Sequence, residues 1–202
     1  MNRSNRTRRV IGTLTLWTLF ATAQIVPGQA YADGDDTSLT NLISLASQRL
    51  ALAEPVARWK WANHQPITDA PREAALLKDV VARAKSADVD PAFATAFFQD
   101  QIDASKDVQN GLFATWRATR PPEGTPPDLA TSTRPQLDTL TKAMIAALAR
   151  VQPLRATPDC PTRVAQGISN WQSLTRYDSA RSAALNRALG HVCETGGVGA
   201  TG

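Results

Sequence analysis

Histidine and cysteine are scarce in this chain of 202 residues, with two of each. His64 and His191 lie far apart and no cluster has metal-ligand spacing, which argues against a dedicated zinc site. No convincing nucleophile–histidine pair is present either, so a hydrolase is a weak reading. The cysteines, Cys160 and Cys193, are too far apart in sequence for a thiol-redox pair. No β-branched alternating run of useful length occurs, and no internal repeat. The sequence therefore predicts an all-α, single-domain protein of about six helices with no sheet.

Acidic residues are missing from the first 32 positions, which carry Arg3, Arg6, Arg8 and Arg9. An apolar stretch follows from Val10 to Val26, and then Ala30-Tyr31-Ala32, a small-x-small cleavage site. This is the layout of a secretory signal peptide, so residues 1–32 are expected to be a cleavable leader and 33–202 the working domain. A membrane anchor is the alternative, but several threonines dilute the apolar stretch. Arg8-Arg9 also invites a twin-arginine reading, and the context does not separate the export routes. The expected location is periplasmic or secreted, without stable membrane insertion.

Export changes how charge and cysteine are read. The full chain has 22 basic and 18 acidic side chains; removing the four leader arginines leaves 18 against 18. A neutral mature chain has no basic field for nucleic acid. In an exported protein the isolated pair Cys160 and Cys193 is most simply a disulfide.

Helical spacing fills the rest. Leu39, Leu42, Ile43, Ala46, Leu50, Ala53, Val56 and Lys60 recur at three and four, with Pro55 placed to kink or divide the run. Asp33 to Asp36 reads as a flexible start. Asp69 caps a second helix with Pro71 in its first turn, and Asp90-Pro91 opens a third that runs to about Trp116. Thr119 to Thr131, rich in proline and glycine, is the long loop. Further helices are expected at Arg134–Val151, from Pro161 to about Arg176 and over Asp178–Val192, with Gly167 weakening the second of these. The tail from about Gly196 is expected to fray.

Two cations stand out on the first run. Arg49 and Lys60 are eleven residues apart, three helical turns with about 20° of drift, on an apolar face with Leu42, Ala46, Ala53 and Val56. Unpaired cations on such a stripe cost several kcal/mol unless an anion meets them, on the order of 3 kcal/mol or more each. A small anionic ligand is the direct reading. Asp69, Arg72 and Glu73 open the second helix, Ser105 and Gln109 share a face of the third, and Arg134 begins the fourth. Surface pairing or plain solvation is the competing account of each of these.

These residues also carry a resemblance. Gln48-Arg49-Leu50, Arg58-Trp59-Lys60-Trp61 before Pro66-Ile67, Arg72-Glu73, and Phe98-Gln99-Asp100-Gln101-Ile102 leading to Ser105 and Gln109 resemble, in order and spacing, the all-helical chorismate mutases of the exported bacterial subclass. The likeness runs from about Leu45 through Trp116, then the Arg134 helix and the two-cysteine region. It implies conversion of chorismate to prephenate by a [3,3] sigmatropic rearrangement, with no cofactor and no metal, in a homodimer. Arg49 and Arg72 resemble the arginines that hold the substrate carboxylates, and Arg134 an additional one from the same chain. Lys60 and Gln109 resemble the donors to the ether oxygen. Asp69, Glu73 and Ser105 match positions that contact the ring or its hydroxyl or orient groups that do. Glutamate stands at the Gln109 position in some exported relatives, and an amide donates without needing acid. A non-catalytic carboxylate-binding protein on the same scaffold is the alternative; an envelope interaction protein is a third reading.

Overall fold

The structure is a computed structural model and describes residues 29–195. The helices are α1 (Gln29–Ala51), α2 (Ala53–Ala62), α3 (Ala70–Ser86), α4 (Pro91–Ala118), α5 (Arg134–Val151), α6 (Cys160–Thr175) and α7 (Ser179–Ala188). A π-helical turn, Leu129–Thr133, leads into α5, and a 3-10 turn, Gln152–Leu154, follows it. No strand occurs among the described residues. None of their helices is long and apolar enough to cross a membrane. Most of the expected leader and the tail from Gly196 lie outside the described residues; positions 29–32 form the first turn of α1.

Of the two outcomes Pro55 allowed, kinking or dividing the first run, division is observed: two helices separated at Leu52. Pro55 has no N–H to offer the Ala51 carbonyl, and its ring crowds that carbonyl. The chain turns tightly instead, with Leu52 N–H bonding Arg49 O at 3.1 Å. Arg49 and Lys60 thus sit on different rods. The flexible start expected at 33–36 is also corrected: these residues are helical. Arg163 of α6 holds them from outside, with its Nη2 2.7 Å from Asp36 Oδ1 and its Nη1 3.3 Å from Asp35 Oδ2.

The caps form as their residue types require. Asp69 accepts from Arg72 N, Asp90 from Ala92 N and Asp178 from Arg181 N, each satisfying a first-turn donor. The long helix α4 is the spine, packed by α1, α2, α3 and α7. Phe93, Phe97 and Phe98 are buried along it, with Leu42 and Ile43 of α1, Met144 and Leu148 of α5, and Leu185 of α7 in the same core. Trp116 is also buried, so none of these four aromatics is available to a dimer contact.

Gly167 has a packing reason. A Cβ there would stand 2.8 Å from Ile43 Cδ1, so a side chain at this position would require the buried Ile43 tip to move for α6 to approach α1 this closely. The cysteines form the expected disulfide, Cys160–Cys193, with Cα atoms 5.9 Å apart. It ties the start of α6 to the segment after α7.

A separate aromatic cluster fixes α2. Trp61 meets Phe113 edge-on at 5.0 Å and Trp116 at 5.7 Å, over buried Ala57. Such pairs contribute roughly 0.5–1.5 kcal/mol beyond area burial. Trp61 is the neighbour of Lys60, so this anchor sets where the lysine points.

Candidate active site

One cavity of about 490 Å³ opens between α1, α2, α3, α4 and the start of α5. Its lining includes all eight residues singled out as a binding set: Arg49, Lys60, Asp69, Arg72, Glu73, Ser105, Gln109 and Arg134. Helices α1 and α4 supply the floor, where Arg49 and Gln109 are buried. Lys60, Glu73 and Ser105 are half-buried on the walls, and Asp69, Arg72 and Arg134 stand exposed at the mouth. The apolar surface between them comes from residues such as Leu52, Val56, Leu76 and Ile102.

Arg49 is the most informative member. Its side chain is buried, yet Nε and Nη1 have no hydrogen-bond partner among the described residues. Burial, then repulsion from Arg72, pushes its pKa down to about 10. A shift of that size corresponds to roughly 3 kcal/mol against the charged form. The sign follows from linkage: the penalty is present at neutral pH and is relieved as pH rises through the folded value, or when an anion meets the guanidinium.

Lys60 is held differently. Its Nζ donates to the Ile67 carbonyl in the segment between α2 and α3. An ammonium has three hydrogens, so this bond aims the group without exhausting it. Burial lowers its pKa; Asp69 and Glu73 oppose the shift and Lys106 adds to it.

Gln109 Nε2 donates to Ser105 Oγ at 3.1 Å and to Ser105 O at 3.2 Å, while its buried Oε1 has no partner among the described residues. At the first turn of α3, Glu73 Oε1 accepts from Asp69 N at 3.2 Å, closing a box around the cap. Asp69 and Glu73 thus pre-shape the helix start that presents Arg72. The surface ion pair weighed for Arg72 with either acid does not form among the described residues.

Several lining residues were not apparent from sequence. Lys106 joins Glu73 at 3.2 Å and Asp103 at 3.3 Å. Arg83 bridges Asp79 on its own helix and Asp138 of α5, at 2.6 and 3.1 Å, closing one end of the cavity. Only the i,i+3 and i,i+4 partners were legible in sequence; the cross-helix ones depend on packing. The lining holds six cations against four carboxylates, an excess of two positive charges. Outside the cavity lining, Arg58 Nη2 donates to the carbonyls of Glu123 and Gly124, at 3.0 and 3.3 Å. Gly124 turns there at φ 94°, a conformation open to glycine, and the loop is thereby tied to α2.

Residues 40–110 match the family described as Chorismate mutase type II. The secreted chorismate mutase of Mycobacterium tuberculosis is 32% identical over 175 residues, covering 85% of this chain and 86% of the relative. The crystal structure of a chorismate mutase from Burkholderia thailandensis is 69% identical and superposes with a TM-score of 0.76, covering 78% of this chain and 99% of that one. A second crystal structure, of the Burkholderia phymatum enzyme, is 31% identical with a TM-score of 0.75, over 79% of this chain and 98% of that one. With likeness of this extent over nearly the whole length of its relatives, the chain belongs to the chorismate mutase family.

Proposed function

We propose that the exported chain, cleaved after Ala32, converts chorismate to prephenate in this cavity. The observation that carries the reading is the buried, unpartnered guanidinium of Arg49 in a cavity with two excess positive charges. A dicarboxylate answers both.

The rearrangement breaks a C–O bond and forms a C–C bond within one molecule, with no covalent intermediate. The protein has two tasks: to hold the dianion in its compact reactive conformation, and to stabilise charge growing on the ether oxygen. Arg49 at the floor and Arg72 and Arg134 at the mouth suit the first task, since their rigid forks match carboxylates. Lys60 suits the second, with ammonium hydrogens left after Ile67. Gln109 joins it after a half-turn of its amide: Ser105 then donates its hydroxyl to Oε1 and Nε2 is released as a donor, at the cost of the bond to the Ser105 carbonyl, which Oε1 would then face as a second acceptor. That turn also gives Oε1 the partner it lacks.

A homodimer completes the proposal through the resemblance, with a contact face that does not use the buried Phe93, Phe97, Phe98 or Trp116. The balanced charge of residues 33–202 offers nucleic acid no attraction.

Purified mature protein, given chorismate alone, should form prephenate and should melt at a higher temperature with a dicarboxylate analogue bound. Saturable binding with no product would sink the catalytic reading and leave a binding protein.

A pH prediction follows from Gln109. The wild-type amide donates at any ordinary pH, so turnover should not be confined to acid. Gln109→Glu should lower kcat about a hundredfold at neutral pH, where the carboxylate cannot donate, and recover as pH falls and the carboxyl is protonated. A flat pH–kcat profile for that variant would remove Gln109 from the mechanism.

A further inference from the structure

Lys106 lies between two acids on different helices and beside the cavity. Its Nζ is 3.2 Å from Glu73 Oε2 on α3 and 3.3 Å from Asp103 Oδ1 one turn earlier on α4. Glu73 spends its other oxygen on the N–H of Asp69, and Asp69 in turn caps Arg72 N at 3.2 Å. The three cavity residues at the start of α3 are therefore connected in series to α4 through one ammonium. Asp103 is itself backed by Arg187 of α7, at 3.7 Å. Lys106 is three-quarters buried; burial works against its charge, but the hydrogen bonds and negative charges of Glu73 and Asp103 together outweigh it and raise its pKa.

We propose that Lys106 is a positioning residue: it fixes the Glu73 carboxylate, and with it the first turn of α3, so that Arg72 and Glu73 meet the substrate in register with Lys60 and Gln109. The inference rests on the rearrangement proposed above. A surface pair would contribute little; this one is partly buried and is the charged link that joins the active-site end of α3 to α4 among the described residues.

The link also has an electrostatic side. Lys60 shares the cavity with Arg49 of α1, Asp69, Arg72 and Glu73 of α3, Lys106 of α4 and Arg134 of α5. Lys106 is a like charge to Lys60 and also occupies Glu73, so its removal favours the protonated lysine on both counts.

The test compares Lys106→Met, which keeps the stem, with Lys106→Arg, which keeps the charge, in wild-type and Glu73→Gln backgrounds. Lys106→Met should lower kcat/KM about tenfold with the melting temperature nearly unchanged, and Lys106→Arg should recover to within about threefold. In the Glu73→Gln background the same Lys106→Met change should cost less than about twofold, because the link is already cut. A separate arm needs no substrate: NMR titration of 13C-labelled lysine side chains in the free protein should show Lys60 titrating at higher pH in Lys106→Met. That arm reports on Lys106 even should chorismate not be consumed. A tenfold loss undiminished in the Glu73→Gln background, or a Lys60 titration that does not move, overturns the proposal.

Discussion

Replacing Lys60 with methionine is expected to lower kcat by roughly 10²- to 10³-fold, because a donor aimed at developing charge is worth on the order of 3–4 kcal/mol in the barrier. Methionine keeps the stem and removes the ammonium. The helical spectrum should not change, and the melting temperature should hold or rise slightly, since burial disfavours the charged lysine in the fold. The pH dependence has a definite sign. Burial lowers the Lys60 pKa, with Asp69 and Glu73 opposing and Lys106 reinforcing, so turnover should fall on the alkaline side earlier than for a solvent-exposed lysine. Steady-state kinetics of the wild type between neutral and alkaline pH decides this, with the variant showing no such limb; near-wild-type turnover in the variant would remove Lys60 from the assigned role.

The second large effect concerns stability rather than rate. Changing both Cys160 and Cys193 to serine should cost about 3–4 kcal/mol in the chain-entropy view, given a separation of 33 residues. Neither cysteine lines the cavity, so kcat should stay within about twofold wherever the variant remains folded. Urea denaturation of the oxidised protein and the double variant gives the difference. A loss below about 1 kcal/mol would mean that the bridge does not restrain the unfolded chain as the model of closed loops requires.

Much of the architecture was legible because its signals are local. Asp69 with Pro71 and Asp90 with Pro91 announce α3 and α4, and both acids make the cap bonds their types predict. The bounds expected for α5, Arg134–Val151, are those observed. The break at Leu52 was half legible: Pro55 signals it, but whether proline bends or divides a helix is settled by what packs on either side. Here Trp61 against Phe113 holds α2 in its own direction. The π-helical turn at Leu129–Thr133 was hidden in a segment read largely as loop, since its pattern is too short for periodicity to register. At the site, spacing of three, four and eleven residues grouped the polar side chains within each helix. Only the resemblance joined the groups to one another. The Lys106–Glu73 pair spans 33 positions and two helices, a relation that no local spacing encodes.

One chain by itself brings six cations to the cavity, Arg134 included. A site assembled across a subunit boundary disassembles as the protein becomes scarce, because mass action separates the halves. A protein released from its cell meets that dilution. Were the whole constellation to come from one chain, specific activity would have no threshold in enzyme concentration, so a constant specific activity on serial dilution is the expected outcome.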